Sequence, residues 1–258
     1  MEARVKVASC HAIKGSLIEE TYRVFRGWDD TVSKTENLKR ARQENTIGAK
    51  SAAWAQNVSW AVSRRFDPAG RDHPLVELAK AGCEQEIWKP ILLYHMTRDE
   101  FLVRDFLVHW LYPQFIAGTY RLRAEDVLPY LHNLSKTKDI EWSGHWTEST
   151  TKRVASGLLK LGVDFGLLSG VQSREFVSYH LPEQSFIYLL HAMMEREANA
   201  RRIIDAEDWR MYLMDASDVE RELLRLHQFR KLHYEAAGSL AQLKLPATSA
   251  ADYAKELC

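Results

Sequence analysis

No stretch of this sequence is apolar for long enough to cross a membrane. A spanning helix needs about 20 such residues, and the longest candidate, residues 186–194, is short and interrupted by His191. Residues 1–10 alternate charge with valine and lack an apolar block, so no signal peptide is expected and the protein is expected in the cytoplasm. Cysteine is sparse: Cys10, Cys83 and Cys258 lie far apart and form no CxxC pair, which excludes a disulfide framework and a zinc knuckle. The ten histidines include no HExxH, and the pairings His191 with Glu195 and His227 with His233 lack further ligands at useful spacing. A Walker loop, a GxGxxG, a GxSxG elbow and a paired-carboxylate signature are also missing. Neither a metal, a cofactor nor an enzymatic activity is expected. An excess of one charge is lacking too, since 35 Lys and Arg face 35 Asp and Glu. That balance argues against strong nonspecific binding to a polyanion, whose affinity comes largely from counterion release by Lys and Arg.

What is present is a core and dense helix punctuation. Hydrophobic residues make up 46% of the 258, enough for one large domain or two small ones. Ser16 with Glu19, Ser33 with Glu36, Thr97 with Glu100 and Ser217 with Glu220 fit the capping-box spacing, which favours a mostly helical chain. Apolar periodicity predicts helices over 16–26, 34–45, 49–66, 74–82, 87–96 and 100–110, a turn at Tyr112-Pro113, and helices over 124–134, 147–162, 183–200, 205–214, 218–234 and 250–257. A short strand is expected over 240–245, and neither a repeat nor a low-complexity tract is visible.

The stretch most informative about function is 146–181. Thr147 can cap a helix whose apolar stripe is Thr151, Val154, Ala155, Leu158 and Leu161. The opposite stripe, Ser149, Lys152, Arg153, Ser156 and Lys160, is cationic or hydroxylated, as a helix lying against phosphates and base edges requires. Gly162 is expected to end the helix. Strands over 163–168 and 175–181 with a turn at 169–173 would form a wing carrying Gln172 and Arg174. Residues 124–134 supply the supporting helix, so the segment reads as a winged helix-turn-helix, with an ordinary solvated helix face as the plainer alternative.

The charge is unevenly distributed, with a basic excess in residues 1–70 and an acidic excess in 183–258. Lys39, Arg40, Arg42, Lys50 and Arg64 could form a second phosphate-binding surface on a second helix-turn-helix, or belong to a plain helical bundle. The row Arg221, Arg225 and Arg230 is interleaved with Glu220 and Glu222 and reads as a solvated face.

The run Asp205-Ala206-Glu207-Asp208-Trp209-Arg210-Met211-Tyr212-Leu213 and the run from Val219 through Glu220, Arg221, Glu222 and Leu223 to Phe229 are distinctive. With Ala237-Gly238-Ser239-Leu240, Leu245-Pro246 and Lys14-Gly15-Ser16-Leu17, they make the chain resemble the BrxA family over essentially its whole length. The resemblance implies a small, non-enzymatic component of BREX bacteriophage-exclusion systems, with winged-helix-like folding and double-stranded DNA binding. The same family has been likened to NusB-type RNA-binding factors and described as inner-membrane, and the run lengths given above contradict the membrane label. It brings no catalytic residues.

The expectation is therefore a mainly α, two-part protein with winged helix-turn-helix-like modules and short β hairpins. An N-terminal helical domain would span residues 1–112 and a C-terminal winged-helix-like domain 113–258. Its partner would be double-stranded DNA, in phage defence. The alternatives are an assembly subunit that docks other BREX proteins and, more weakly, an RNA binder.

Overall fold

The computed structural model describes residues 5–7, 9–136, 140–142, 146–238 and 240–257. In chain order the elements are β1 (Val5–Val7), α1 (Ser9–Lys14), α2 (Ile18–Arg26), α3 (Lys34–Gln43), α4 (Ala52–Arg65), α5 (His73–Ala81), α6 (Gln85–Thr97) and α7 (Phe101–Asp105). A π-helical segment, Phe106–Leu111, runs directly into α8 (Tyr112–Ile116). Next come α9 (Ala124–Leu134), β2 (Ile140–Trp142), α10 (Glu148–Asp164), β3 (Leu168–Ser169), β4 (Glu175–Phe176), α11 (Glu183–Met194) and α12 (Ala200–Ile204). After a 3-10 turn at Glu207–Tyr212, the chain continues with α13 (Ala216–Gln228), β5 (His233–Ala237), β6 (Leu240–Lys244) and α14 (Ala250–Glu256). The protein is mainly helical with two short antiparallel hairpins, β3–β4 and β5–β6, as expected.

Several elements differ from the expectation. The turn at Tyr112-Pro113 is instead helix. Proline lacks the N–H that an interior position needs, and the wider π register just before it, in which Tyr112 N–H reaches Leu107 O, carries the helix through. Two of the capping boxes are displaced: Asp215, not Ser217, caps α13 by accepting from Asp218 N–H, and Glu100, not Thr97, precedes α7. Ser33 does cap α3, accepting from Glu36 N–H. The expected helix over 218–234 stops at Gln228. Tyr234 belongs to β5, which pairs with β6 in the register Tyr234 to Leu243.

The chain condenses into two compact units, residues 1–18 with 96–179, and residues 19–95 with 180–258. In the first unit, α1 and α9 pack against α10. Val154, Ala155, Leu158, Leu159 and Leu161 are wholly buried, at about 25 cal/mol for each Å² of apolar surface removed from water. Gly157 permits the approach of α1, because a Cβ there would stand 2.3 Å from Ala12 O. β1 and β2 pair in parallel, Val5 opposite Ile140.

In the second unit, Trp88, Tyr94, Phe186, Tyr188, Trp209 and Tyr212 are buried. Polar tips among them find backbone acceptors where burial would otherwise be costly. Trp209 Nε1 donates to Ile203 O at 2.7 Å, and Tyr212 Oη donates to Pro90 O at 2.9 Å. Of the expected arginine row, Arg221 pairs with Asp218, and Arg225 pairs with Glu222 and with Glu183 of α11, while Arg230 lies beyond the end of α13. No helix among the described residues is long and apolar enough to cross a membrane.

Candidate nucleic-acid interface

The site is built on α10 of the first unit. Thr147 Oγ1 accepts from Thr150 N–H at 3.2 Å and fixes the helix start. With the apolar stripe turned inward, Ser149, Lys152, Arg153, Ser156 and Lys160 all lie on the exposed stripe. The helix runs on past Gly162 to Asp164, because Gly162 is where Leu168 packs; a Cβ there would stand 2.9 Å from Leu168 Cδ1. That extension shortens the first strand of the expected wing, and the second pairs only at Glu175–Phe176. A further antiparallel bridge, with Leu122 N–H donating to Arg174 O at 2.8 Å and Arg174 N–H to Leu122 O at 2.9 Å, places the segment before α9 beside β4.

Two of the cations on α10 have carboxylate neighbours on the same helix. Lys152 Nζ lies 2.7 Å from Glu148, which draws the lysine above its usual range and is itself held low by the same hydrogen bond. Lys160 Nζ donates to both oxygens of Asp164, at 2.7 and 2.9 Å. The Lys152–Glu148 pair is exposed, and such pairs are weak and screened by salt, so that ammonium can be redirected to a phosphate. Asp164 is only 20% exposed and also accepts from Ser16 Oγ at 2.7 Å, so the Lys160 pair is the firmer one. Arg153 has no ion-pair partner among the described residues.

Gln172 is exposed in the β3–β4 turn, but Arg174 is not a surface contact. It is 6% exposed, and it lines a cleft of about 880 Å³ between the start of α9, the C-terminal half of α10 and the turn. Burial pulls its guanidinium below the usual arginine range, and no carboxylate among the described residues pairs with it. Arg174 is therefore enclosed in the cleft and not displayed on the surface of the hairpin as the expected wing would have it. The hydrogen bonds to Leu122 draw its backbone into the sheet and its side chain into the cleft.

The second expected surface lies in the other unit. Lys39, Lys50 and Arg64 are exposed and Arg42 is half-buried; Arg64 sits 5.9 Å from the ring centroid of the exposed Trp60. Arg40 has a structural task instead, donating to Gly27 O at 2.7 Å and Asn37 Oδ1 at 2.9 Å, with Asp29 at 3.2 Å.

Two polar groupings in the second unit have no recognisable spacing in the sequence and emerge only from the fold. His95 Nδ1 lies 2.6 Å from Asp72 Oδ1, and its Nε2 lies 2.8 Å from Tyr188 Oη. All three are sealed from solvent, so the array ties α6 and α11 to the start of α5. Asp30, His73 and Glu77 converge on the surface, with Lys80 Nζ 2.6 Å from Asp30 as the resident cation.

The fold and site define a class: a mainly helical protein presenting hydroxyls and cations along one helix beside a two-stranded hairpin. Within it the chain belongs to the BrxA family, whose model matches residues 11–192. That membership implies a BREX-associated component. The match ends before the runs at 205–213 and 219–229, and no curated protein matches the chain.

Proposed function

We propose that this protein is a non-enzymatic, double-stranded DNA-binding component of a BREX phage-defence system, with α10 as its reading helix. One observation carries the reading: Ser149, Lys152, Arg153, Ser156 and Lys160 form a continuous exposed stripe on a helix flanked by a hairpin. The order of α8, the strand segment at Leu122, α9, β2, α10 and the β3–β4 hairpin supports it, since apart from β2 a winged helix-turn-helix has this order and sends the second helix of the pair into the major groove. In that arrangement Lys152, Arg153 and Lys160 contact phosphates or guanine edges, Ser149 and Ser156 donate to either, and Gln172 approaches the backbone from the wing.

The test is duplex binding by Lys152→Ala/Arg153→Ala at several salt concentrations. Affinity should fall, and the slope of log K against log salt should flatten by about 2, roughly one for each phosphate no longer neutralised. A double variant that binds like the parent at every salt concentration would sink the assignment.

A second reading, an assembly subunit that docks other BREX proteins, is favoured by the exposed apolar side chains of Leu224, Phe229 and Leu240. Pull-down of companion proteins by a full-length chain that has no duplex affinity would select it over the first.

A further inference from the structure

We propose that the cleft lined by Arg123, Glu125, Lys160, Ser173 and Arg174 is an anion pocket that takes a phosphoryl group, with the Arg174 guanidinium as its anchor. The pocket shares Ser156 and Lys160 with the exposed stripe of α10, but Arg174, Ser173 and the start of α9 lie off that stripe, so its anion chemistry is testable whether or not the stripe reads DNA.

A buried arginine is ordinarily paired, because removing its charge from water costs several kcal/mol unless a counter-charge and hydrogen bonds replace the solvent. Arg174 has neither. Its Nε is enclosed without an acceptor, and its only hydrogen bonds among the described residues are the two backbone bonds to Leu122. Ser173 Oγ, on the same wall, is likewise enclosed without a partner. Opposite them is the first turn of α9, whose dipole favours an anion; Arg123 N–H there donates to Asp126 at 2.7 Å, and Glu125 and Asp126 already set carboxylates in that turn. Arg174 Nε and Ser173 Oγ thus border the cleft with no hydrogen-bond partner among the described residues, although Glu125 and Asp164 are part of its lining.

The carboxylates nearby do not fill that role. Asp164 is occupied by Lys160 and by Ser16 Oγ at 2.7 Å, and Glu125 is exposed. The guanidinium fork matches a phosphoryl group through two parallel hydrogen bonds, and about 880 Å³ accommodates the body to which the group is attached. The wall is held in advance of any ligand. Gly170 turns at φ +99°, where a Cβ would stand 2.2 Å from Ser173 O, and the paired bonds to Leu122 fix the backbone of Arg174. A DNA backbone and a free phosphorylated molecule present the same phosphoryl oxygens to this pocket.

Thermal unfolding of the full chain in sodium phosphate, against sodium chloride at equal ionic strength, tests the pocket. Phosphate should raise the Tm of the parent. Arg174→Met should unfold no earlier than the parent in chloride, since it removes an enclosed Nε that has no partner, and should lose the response to phosphate. If Arg174→Met proves unstable, Arg174→Lys keeps the charge without the fork and should show a reduced response. Duplex binding then separates the sources. A fall of about tenfold with Arg174→Met, together with competition by phosphate, assigns the pocket to a backbone phosphate. Unchanged duplex affinity in a variant that no longer responds to phosphate assigns it to a free phosphorylated ligand. A parent that ignores phosphate, or a response that survives both substitutions, overturns the proposal. Failure of the Lys152/Arg153 test would leave the phosphate response in place, so the two readings fall separately.

Discussion

His191 illustrates how a residue unremarkable in the sequence acquires a physical role from its surroundings. It is buried in α11 and stacked on Tyr253 with ring centroids 5.2 Å apart, and its Nε2 is enclosed without a hydrogen-bond partner. Desolvation lowers its pKa from the ordinary 6.5 to about 4, against a smaller opposing pull from Asp252. The folded state therefore binds fewer protons than the unfolded chain between those values. The stability from keeping this imidazole neutral is complete above about pH 6.5 and drains away as pH falls toward 4, up to about 3 kcal/mol in all. Urea unfolding at pH 7 and at pH 4.5 should show that loss in the parent, and His191→Phe, which keeps the stacking and cannot titrate, should lack it. An identical acid loss in the variant would assign the effect to other groups. Sequence spacing alone marks the histidines as structural or surface groups, but burial without a partner is visible only once α14 packs on α11.

At the scale of elements, α10 is the most legible part of the chain. Its cap and both of its stripes follow from period and capping chemistry, which are local. Its end does not, because Gly162 looks like a terminator until Leu168 packs where its side chain would be. Gly157 is the same kind of residue five positions earlier, allowing α1 to lie against the helix. Gly157→Ala should lower stability by about 2 kcal/mol in urea melts despite alanine's better helix propensity, because the obstacle is backbone and cannot rotate aside. A stabilised variant would show that α1 can move away at little cost. β5 is hidden from a local reading for a different reason. Tyr234 continues the apolar period of α13, and its placement in a strand depends on pairing with β6, which follows it in the sequence.

At the scale of the whole molecule, duplex binding can tell whether both units meet the same polyanion. Replacing Lys39, Arg42, Lys50 and Arg64 together with alanine should weaken duplex binding and flatten its salt slope further, by up to about 4. Arg40→Ala should instead lower Tm, because its guanidinium holds Gly27 O and Asn37 rather than facing solvent. An unchanged slope in the fourfold variant would confine binding to the first unit. The mainly helical class, the exposed stripe of α10 and the family are all legible in the sequence, because periodicity, capping and long residue runs are properties of neighbouring positions. The interleaving of four chain segments into two units, the shortened hairpin and the burial of Arg174 were decided by tertiary structure alone. Each depends on groups distant in sequence: Leu122 bonding Arg174, Leu168 covering Gly162, and Ala12 meeting Gly157. Whether a charge or a glycine is exposed or enclosed is set by what packs over it, and no local pattern records that.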